Sequence, residues 1–207
     1  MLARGSATLV LSPLIATAAC MAAAVLLGDG WQWLLLPGLP LGILFLFLLA
    51  FFRDPERIPG PGIVSAADGR VLAADPERGT VVVFMGLTNV HVNRAPWDGR
   101  VGRITHTHGG HAPAYSGRAS RNERLETIVE TALGQMRVVQ VAGVFARRIV
   151  PYRQEGDRVK KGQRIGMIRF GSRVELTLPR GARIVVRVGD RVRAGETTLA
   201  EVPHAVR

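Results

Sequence analysis

The sequence predicts a mainly β domain of the β-rich α+β class, preceded by a pair of apolar helices. Two observations carry this: two long uncharged runs near the N-terminus, and beyond residue 62 a succession of short alternating apolar segments punctuated by glycine. Length sets the limit: 207 residues leave one ordinary globular domain once membrane segments are subtracted.

The first run, "ATLVLSPLIATAACMAAAVLL", spans residues 7–27, and the second, "WQWLLLPGLPLGILFLFLLAFF", spans 31–52. Each passes the threshold of ~18 apolar residues for a membrane-crossing helix. Trp31 and Trp33 open the second run and Arg53 and Arg57 follow it, as interfacial anchors do. Arg4 before the first run and Asp29 in the connecting loop favour a transmembrane hairpin with both ends cytoplasmic. The "ATAAC" near the end of the first run also fits a cleaved signal peptide, but the weakly basic n-region and the length of the run favour a retained helix. Pro37 and Pro40 are expected to break the second run and leave part of it in the interface. The organisation expected is a membrane anchor at 1–52, a Pro/Gly-rich connector "RDPERIPGPG" at 53–62 and a β-rich domain at 63–207.

Net charge is +11, carried by arginine, since Lys160 and Lys161 are the only lysines. That implies an anionic partner, an acidic lipid surface or a nucleic acid. Nucleic acid fits poorly, because the charge is dispersed along strands and aromatics are sparse. The single cysteine, Cys20, lies in an apolar run, which excludes an intrachain disulfide and a Cys-rich zinc site.

Within the β-rich part, residues 122–133 could pass for a helix, but their β-branched content and the following "GQ" favour a hairpin. A short internal repeat relates "EGDRVKKGQRIGMI" (155–168) to "VGDRVRAGETTLAEV" (188–202). Each copy precedes an apolar strand, so the pair suggests two related hairpin units about a pseudo-two-fold axis. In this respect the segment resembles lipoyl and biotinyl carrier domains. Those carriers place a modified lysine between the units, whereas here the intervening segment holds Gly171-Ser172.

Gly171-Ser172 has two readings. It is an ordinary turn, or it is a bond the chain breaks: with its proton taken by a base, Ser172 attacks the Gly171 carbonyl and shifts the acyl group from nitrogen to oxygen. Elimination of that ester leaves a dehydroalanine, which hydrolyses to a pyruvoyl group. Glycine leaves the attacked carbonyl unobstructed.

In order, "FFRDPERIPGPGIVSAADGRV", "NVHVNRAPWDGRV", "NERLE" and "GDRVKKGQRIGMIRFGSRVEL" resemble the phosphatidylserine decarboxylases, particularly the short bacterial and archaeal type, over most of residues 51–203. The resemblance implies that Ser172 becomes a covalent pyruvoyl cofactor, with a large chain 1–171 and a small chain 172–207 that stay associated. It implies that Asp68 orients His91 and that His91 takes the Ser172 proton, an Asp-His-Ser relay with Gly171 as the cleaved carbonyl. Decarboxylation of phosphatidylserine to phosphatidylethanolamine through a Schiff base would follow, the pyruvoyl group acting as electron sink.

One position departs from the pattern. Longer relatives carry a second histidine three positions before His91, and here that position is Thr88. His106, His108 and His111 in "THTHGGHAPA" are the candidates for its work, with His108 and His111 as proton donors. A solvated loop and a zinc site are the other readings of that segment, and a substrate-gating loop is preferred to a metal. Arg147, Arg148 and Arg153 read as a solvated or lipid-facing surface.

The expected partners are a phospholipid substrate and the cell's inner membrane, with the catalytic domain on its cytoplasmic face and homo-oligomerisation left open. Two alternatives stand beside this reading: a non-enzymatic membrane-anchored, lipoyl-like adaptor, and a decarboxylase of an ether-linked phosphatidylserine analogue.

Overall fold

The computed structural model describes residues 1–27, 31–144, 148–169 and 171–202. Arg147, one of the surface arginines expected from the sequence, and the Asp29 loop lie outside them. The chain divides into two compact units, Met1–Pro55 and Glu56–Arg207.

In the first unit, α1 (Ala7–Leu27) and α2 (Trp31–Phe51) pack on one another. Their ends are tied together where Ala3 N–H donates to Phe52 O at 2.8 Å and Asp54 N–H to Met1 O at 2.8 Å. α1 is long and apolar enough to cross a membrane, whereas the described apolar stretch of α2, Leu36–Phe51, is shorter. The break expected at Pro37 and Pro40 is absent, and α2 runs through both. Each proline removes one rung of the ladder without ending the helix, as apolar helices tolerate.

The second unit is built from β1 (Ile63–Val64), β2 (Gly69–Asp75), β3 (Thr80–Met85), β4 (Val92–Arg94), β5 (Gly99–Thr107), β6 (Arg124–Thr131), β7 (Gly134–Ala142), β8 (Ile149–Pro151), β9 (Arg158–Val159), β10 (Arg164–Ile168), β11 (Ser172–Thr177), β12 (Arg183–Ile184), β13 (Arg191–Val192) and β14 (Thr198–Glu201). Most of the 122–133 segment forms β6, hairpinned to β7 through the turn Ala132-Leu133. One eight-stranded sheet runs β13-β2-β3-β11-β7-β6-β5-β9, and two three-stranded sheets run β1-β14-β12 and β4-β10-β8.

That order reads as a duplication. A dyad between β11 and β7 exchanges β13 with β9, β2 with β5 and β3 with β6, and relates the two small sheets. The two "GDRV" copies thus form the opposite ends of the large sheet. Each pairs with a "DGRV" segment: Val192 opposite Gly69, and Val159 opposite Gly99. The hydrogen bonds repeat as well. Val71 N–H donates to Asp190 O at 2.9 Å and Val101 N–H to Asp157 O at 2.8 Å. The Asp68 carboxylate accepts Ala194 N–H at 2.8 Å, and the Asp98 carboxylate accepts Lys161 N–H at 2.6 Å. A register shift follows Val71 in one half and Val101 in the other. The halves differ chiefly between the second and third strands, where a tight turn after Asp75 corresponds to the histidine-bearing loop 108–123.

Period-two alternation fills the core. β3 and β11 each bury every second residue, so Val81, Val83 and Met85 meet Val174 and Leu176. Each such side chain contributes about 1.5–3 kcal/mol when taken fully from water. Ser172 occupies the core-facing phase of β11, so the pattern that buries Val174 and Leu176 also buries its hydroxyl.

Residues 56–62, expected as a connector, lie along the domain. Arg57 reaches Asp68, Gly60 N–H donates to Gly195 O at 3.1 Å, and Thr198 Oγ1 donates to Pro61 O at 2.6 Å.

Candidate active site

Ser172 opens the central strand, flanked by Met85 on β3 and Ala142 on β7. Its side chain is fully buried, and Oγ finds no hydrogen-bond partner among the described residues. A buried hydroxyl in that condition costs about 1–3 kcal/mol, and such atoms call for a functional account.

Gly171, immediately before it, has φ +57°, the left-handed region in which a side chain is strained. Its carbonyl packs against Gly143 so closely that a Cβ there would lie 2.0 Å from Gly171 O. Glycine at 171 thus supplies the backbone conformation, and glycine at 143 supplies room for the carbonyl. Gly171 also borders an apolar cavity of about 210 Å³ walled by Phe84, Leu87, Ala114, Tyr115 and Val144. Phe84 and Tyr115 meet edge to face with ring centroids 6.0 Å apart, and Arg173 Nη1 donates to Ala114 O at 3.1 Å. Leu87, Tyr115 and Val144 are exposed, which gives the mouth an apolar rim.

His91 is buried at the entry to β4, and its carbonyl accepts the N–H of Ile168 at 3.2 Å, four positions before Ser172. Its Nδ1 lies 2.9 Å from Asn89 O. A carbonyl only accepts, so Nδ1 carries the proton and Nε2 the lone pair, the tautomer a base requires.

Asp68, which the resemblance makes the partner of His91, has described contacts on Arg57 and Ala194. Arg57 grips Asp68 in a two-pronged contact, Nη1 to Oδ1 at 2.5 Å and Nη2 to Oδ2 at 2.8 Å, with Ala194 N–H on Oδ1. Asp68 thereby anchors its turn, as Asp98 does in the other half, and His91 Nδ1 is held by the Asn89 carbonyl.

Asn89 and Gly143 went unrecognised in the sequence, Arg57, read there as an interfacial anchor, is instead a buried partner of Asp68, and a buried polar pair in which Gln140 Nε2 donates to Asn93 Oδ1 at 2.7 Å was also missed. Asn93 Nδ2 in turn reaches Met85 Sδ at 3.6 Å, beside Ser172. Thr88 lies in an exposed turn. His108 and His111 are exposed on the segment that leads to Ala114 and Tyr115. Arg169, two positions before Gly171, is pulled below the usual guanidinium range by burial and by the neighbouring charge of Arg148. Arg148 is exposed, and the half-buried Arg153 donates from Nε to Arg164 O at 3.2 Å.

Comparison with known proteins gives this geometry a family. Residues 44–200 match the phosphatidylserine decarboxylase family model. An archaetidylserine decarboxylase proenzyme described from Methanococcoides burtonii is 45% identical over 97% of this chain and 96% of its own. Phosphatidylserine decarboxylase proenzymes of Streptomyces griseus (43%, over 96% and 92%) and Thermobifida fusca (50%, over 72% and 70%) are similar in the same way. The chain belongs to the phosphatidylserine decarboxylase family.

Proposed function

We propose that this chain is a self-processing decarboxylase that converts phosphatidylserine to phosphatidylethanolamine and carbon dioxide. The observation that carries the reading is the buried, partnerless Ser172 hydroxyl beside a left-handed Gly171 whose carbonyl is seated on Gly143. These residues fit the origin of a pyruvoyl group: a buried hydroxyl with no hydrogen-bond partner among the described residues, next to a carbonyl packed against Gly143.

In cleavage, His91 takes the Oγ proton and Ser172 Oγ attacks the Gly171 carbon. The C–N bond breaks as the C–O bond forms, and the released amine takes a proton. Elimination across the Ser172 Cα–Cβ bond frees the Gly171 carboxylate, ending the large chain at 171, and hydrolysis releases ammonia to leave the pyruvoyl terminus at 172. Bound there, that group supplies a carbonyl able to take up the electron pair left by departing carbon dioxide. The cavity beside it has mostly apolar walls, and the rim of Leu87, Tyr115 and Val144 suits a substrate presented by a lipid surface.

Asp68 contributes from its anchored position. Arg57 and Asp68 side chains are only 6% and 10% exposed, and removing one partner of such a pair costs about 3–5 kcal/mol. Asp68→Asn and Arg57→Ala are therefore expected to lower Tm and slow cleavage together. Cleavage lost in Asp68→Asn but kept in Arg57→Ala, at matched folded fraction, would instead place Asp68 in direct relay to His91.

The proton donor of the decarboxylation step is assigned to the loop histidines His108 and His111. His111→Ala in already cleaved protein is expected to lower turnover about 10²-fold or more. Unchanged turnover in both His108→Ala and His111→Ala would remove the loop from the chemistry.

The scaffold's duplication supports the carrier-like description of its hairpin units. α1 supports attachment to a membrane, with the hairpin crossing the inner membrane and the domain on the cytoplasmic side. The test is carbon dioxide release from carboxyl-labelled phosphatidylserine vesicles, run beside vesicles of an ether-linked serine phospholipid. The archaeal similarity favours the ether lipid as the second reading. Release from neither by cleaved protein would sink the proposal.

A further inference from the structure

We propose that His106, His108 and Glu123 form a binding site for a divalent transition metal of the zinc type. The site lies at the neck of the loop that walls the cavity beside Gly171. His106 near the end of β5 and His108 just past it are two positions apart, and their rings lie side by side with centroids 4.5 Å apart. Glu123 enters from the facing chain just before β6, and the β5–β6 register, His106 opposite Leu125 and Thr107 opposite Arg124, brings it beside His108. Its Oε1 lies 3.0 Å from His106 Nε2, and one donor atom from each of the three residues falls within 4.8 Å of the others.

Two imidazoles and a carboxylate are the donors zinc takes, at about 2.0–2.2 Å each, with a fourth position left to water. Donor atoms around such an ion stand roughly 3.3–3.6 Å apart, so closure needs about an ångström of movement. The two exposed rings can supply this by rotation. The carboxylate is the better fixed member, being mostly buried with its side chain 13% exposed.

The backbone around the site explains what an ion would do there. Gly110 N–H donates to Arg121 O at 2.9 Å and Glu123 N–H to Gly110 O at 3.1 Å, so the two ends of the loop are already zipped at this point. Asn122, buried, accepts Ala112 N–H and donates to the Ala112 and Ala142 carbonyls. Glu123 O accepts the N–H of Ala142, the strand neighbour of Ser172. An ion on these three side chains clamps the neck of a loop whose Pro113, Ala114 and Tyr115 line the cavity. It also engages His108 as a ligand, which leaves His111 as the loop's proton donor. The corresponding turn of the other half, after Asp75, carries no histidine.

The test uses full-length protein in detergent, stripped with a chelator and titrated with zinc chloride against a chromophoric competitor. Wild type is expected to bind about one equivalent, to lose at least ~10-fold in affinity in each of His106→Ala, His108→Ala and Glu123→Gln, and to gain protection of the 108–123 loop from limited proteolysis when zinc is added. The two histidines are exposed and Glu123 is partly buried, and each variant's Tm without metal is measured to confirm folding. Equal zinc binding by wild type and a His106→Ala/His108→Ala double variant would overturn the site. So would zinc binding without loop protection.

Discussion

Ser172→Ala is expected to accumulate as a single uncleaved chain with decarboxylation at background, and to be more stable than the precursor it replaces. The loss of activity follows from the loss of the Oγ that attacks the Gly171 carbonyl. The gain in stability follows from burial: Oγ is shut away from water with no partner, so its removal relieves about 1–3 kcal/mol of desolvation and leaves a methyl group among Val174 and Met85. A serine kept merely for packing would behave in the opposite way, with activity retained and stability unchanged. Chemical denaturation of the variant beside an uncleaved His91→Ala precursor reads the stability difference without interference from cleavage.

Gly143→Ala is expected to stop or slow cleavage by at least ~10²-fold while leaving the sheet intact. The added Cβ would stand 2.0 Å from the Gly171 oxygen, so that carbonyl must move, and a displacement of about 1 Å at a reacting centre has an effect of that size. The neighbours of Gly143 are forgiving in other respects, since the next contact outside Gly171 is Ala114 Cβ at 3.4 Å. Precursor that cleaves at the wild-type rate would show that the seating of the carbonyl has no part in the reaction. Incubating purified precursor and following the two fragments on a gel distinguishes slow cleavage from none.

Much of this was legible before any coordinates. Alternation in "RVELTLP" and "TVVVFM" identified β11 and β3 because a half-buried strand must alternate, and the same alternation explains why Ser172 faces inward. The repeated "GDRV" announced the two-fold, although its "DGRV" partners did not stand out: Val192 meets Gly69 across a long stretch of chain, and pairing at that range leaves no local pattern. The same limit hid Arg57 from Asp68, Glu123 from His106 and Gly143 from Gly171. Each contact joins residues whose types are individually ordinary, and only the fold makes them neighbours. Asp68 shows what only the fold adds: beside "GRV" it reads as a catalytic aspartate, and Asp98 in the same setting accepts the equivalent backbone N–H, so the position also anchors a turn repeated by duplication. Pro37 and Pro40 misled, since the rule that proline breaks helices belongs to water and an apolar helix obeys it less.

The central claim is that the Gly171–Ser172 bond is broken by its own serine to leave a pyruvoyl terminus, and intact-mass spectrometry of the purified wild-type chain tests it most directly. The account predicts two fragments, one ending at Gly171 and one beginning at residue 172 and lighter than a serine-initiated fragment by the mass change of serine to pyruvoyl, the loss of an ammonia with no net change in oxygen. A folded protein that remains a single chain of 22.4 kDa, or one whose smaller fragment begins with an unmodified serine, would contradict it.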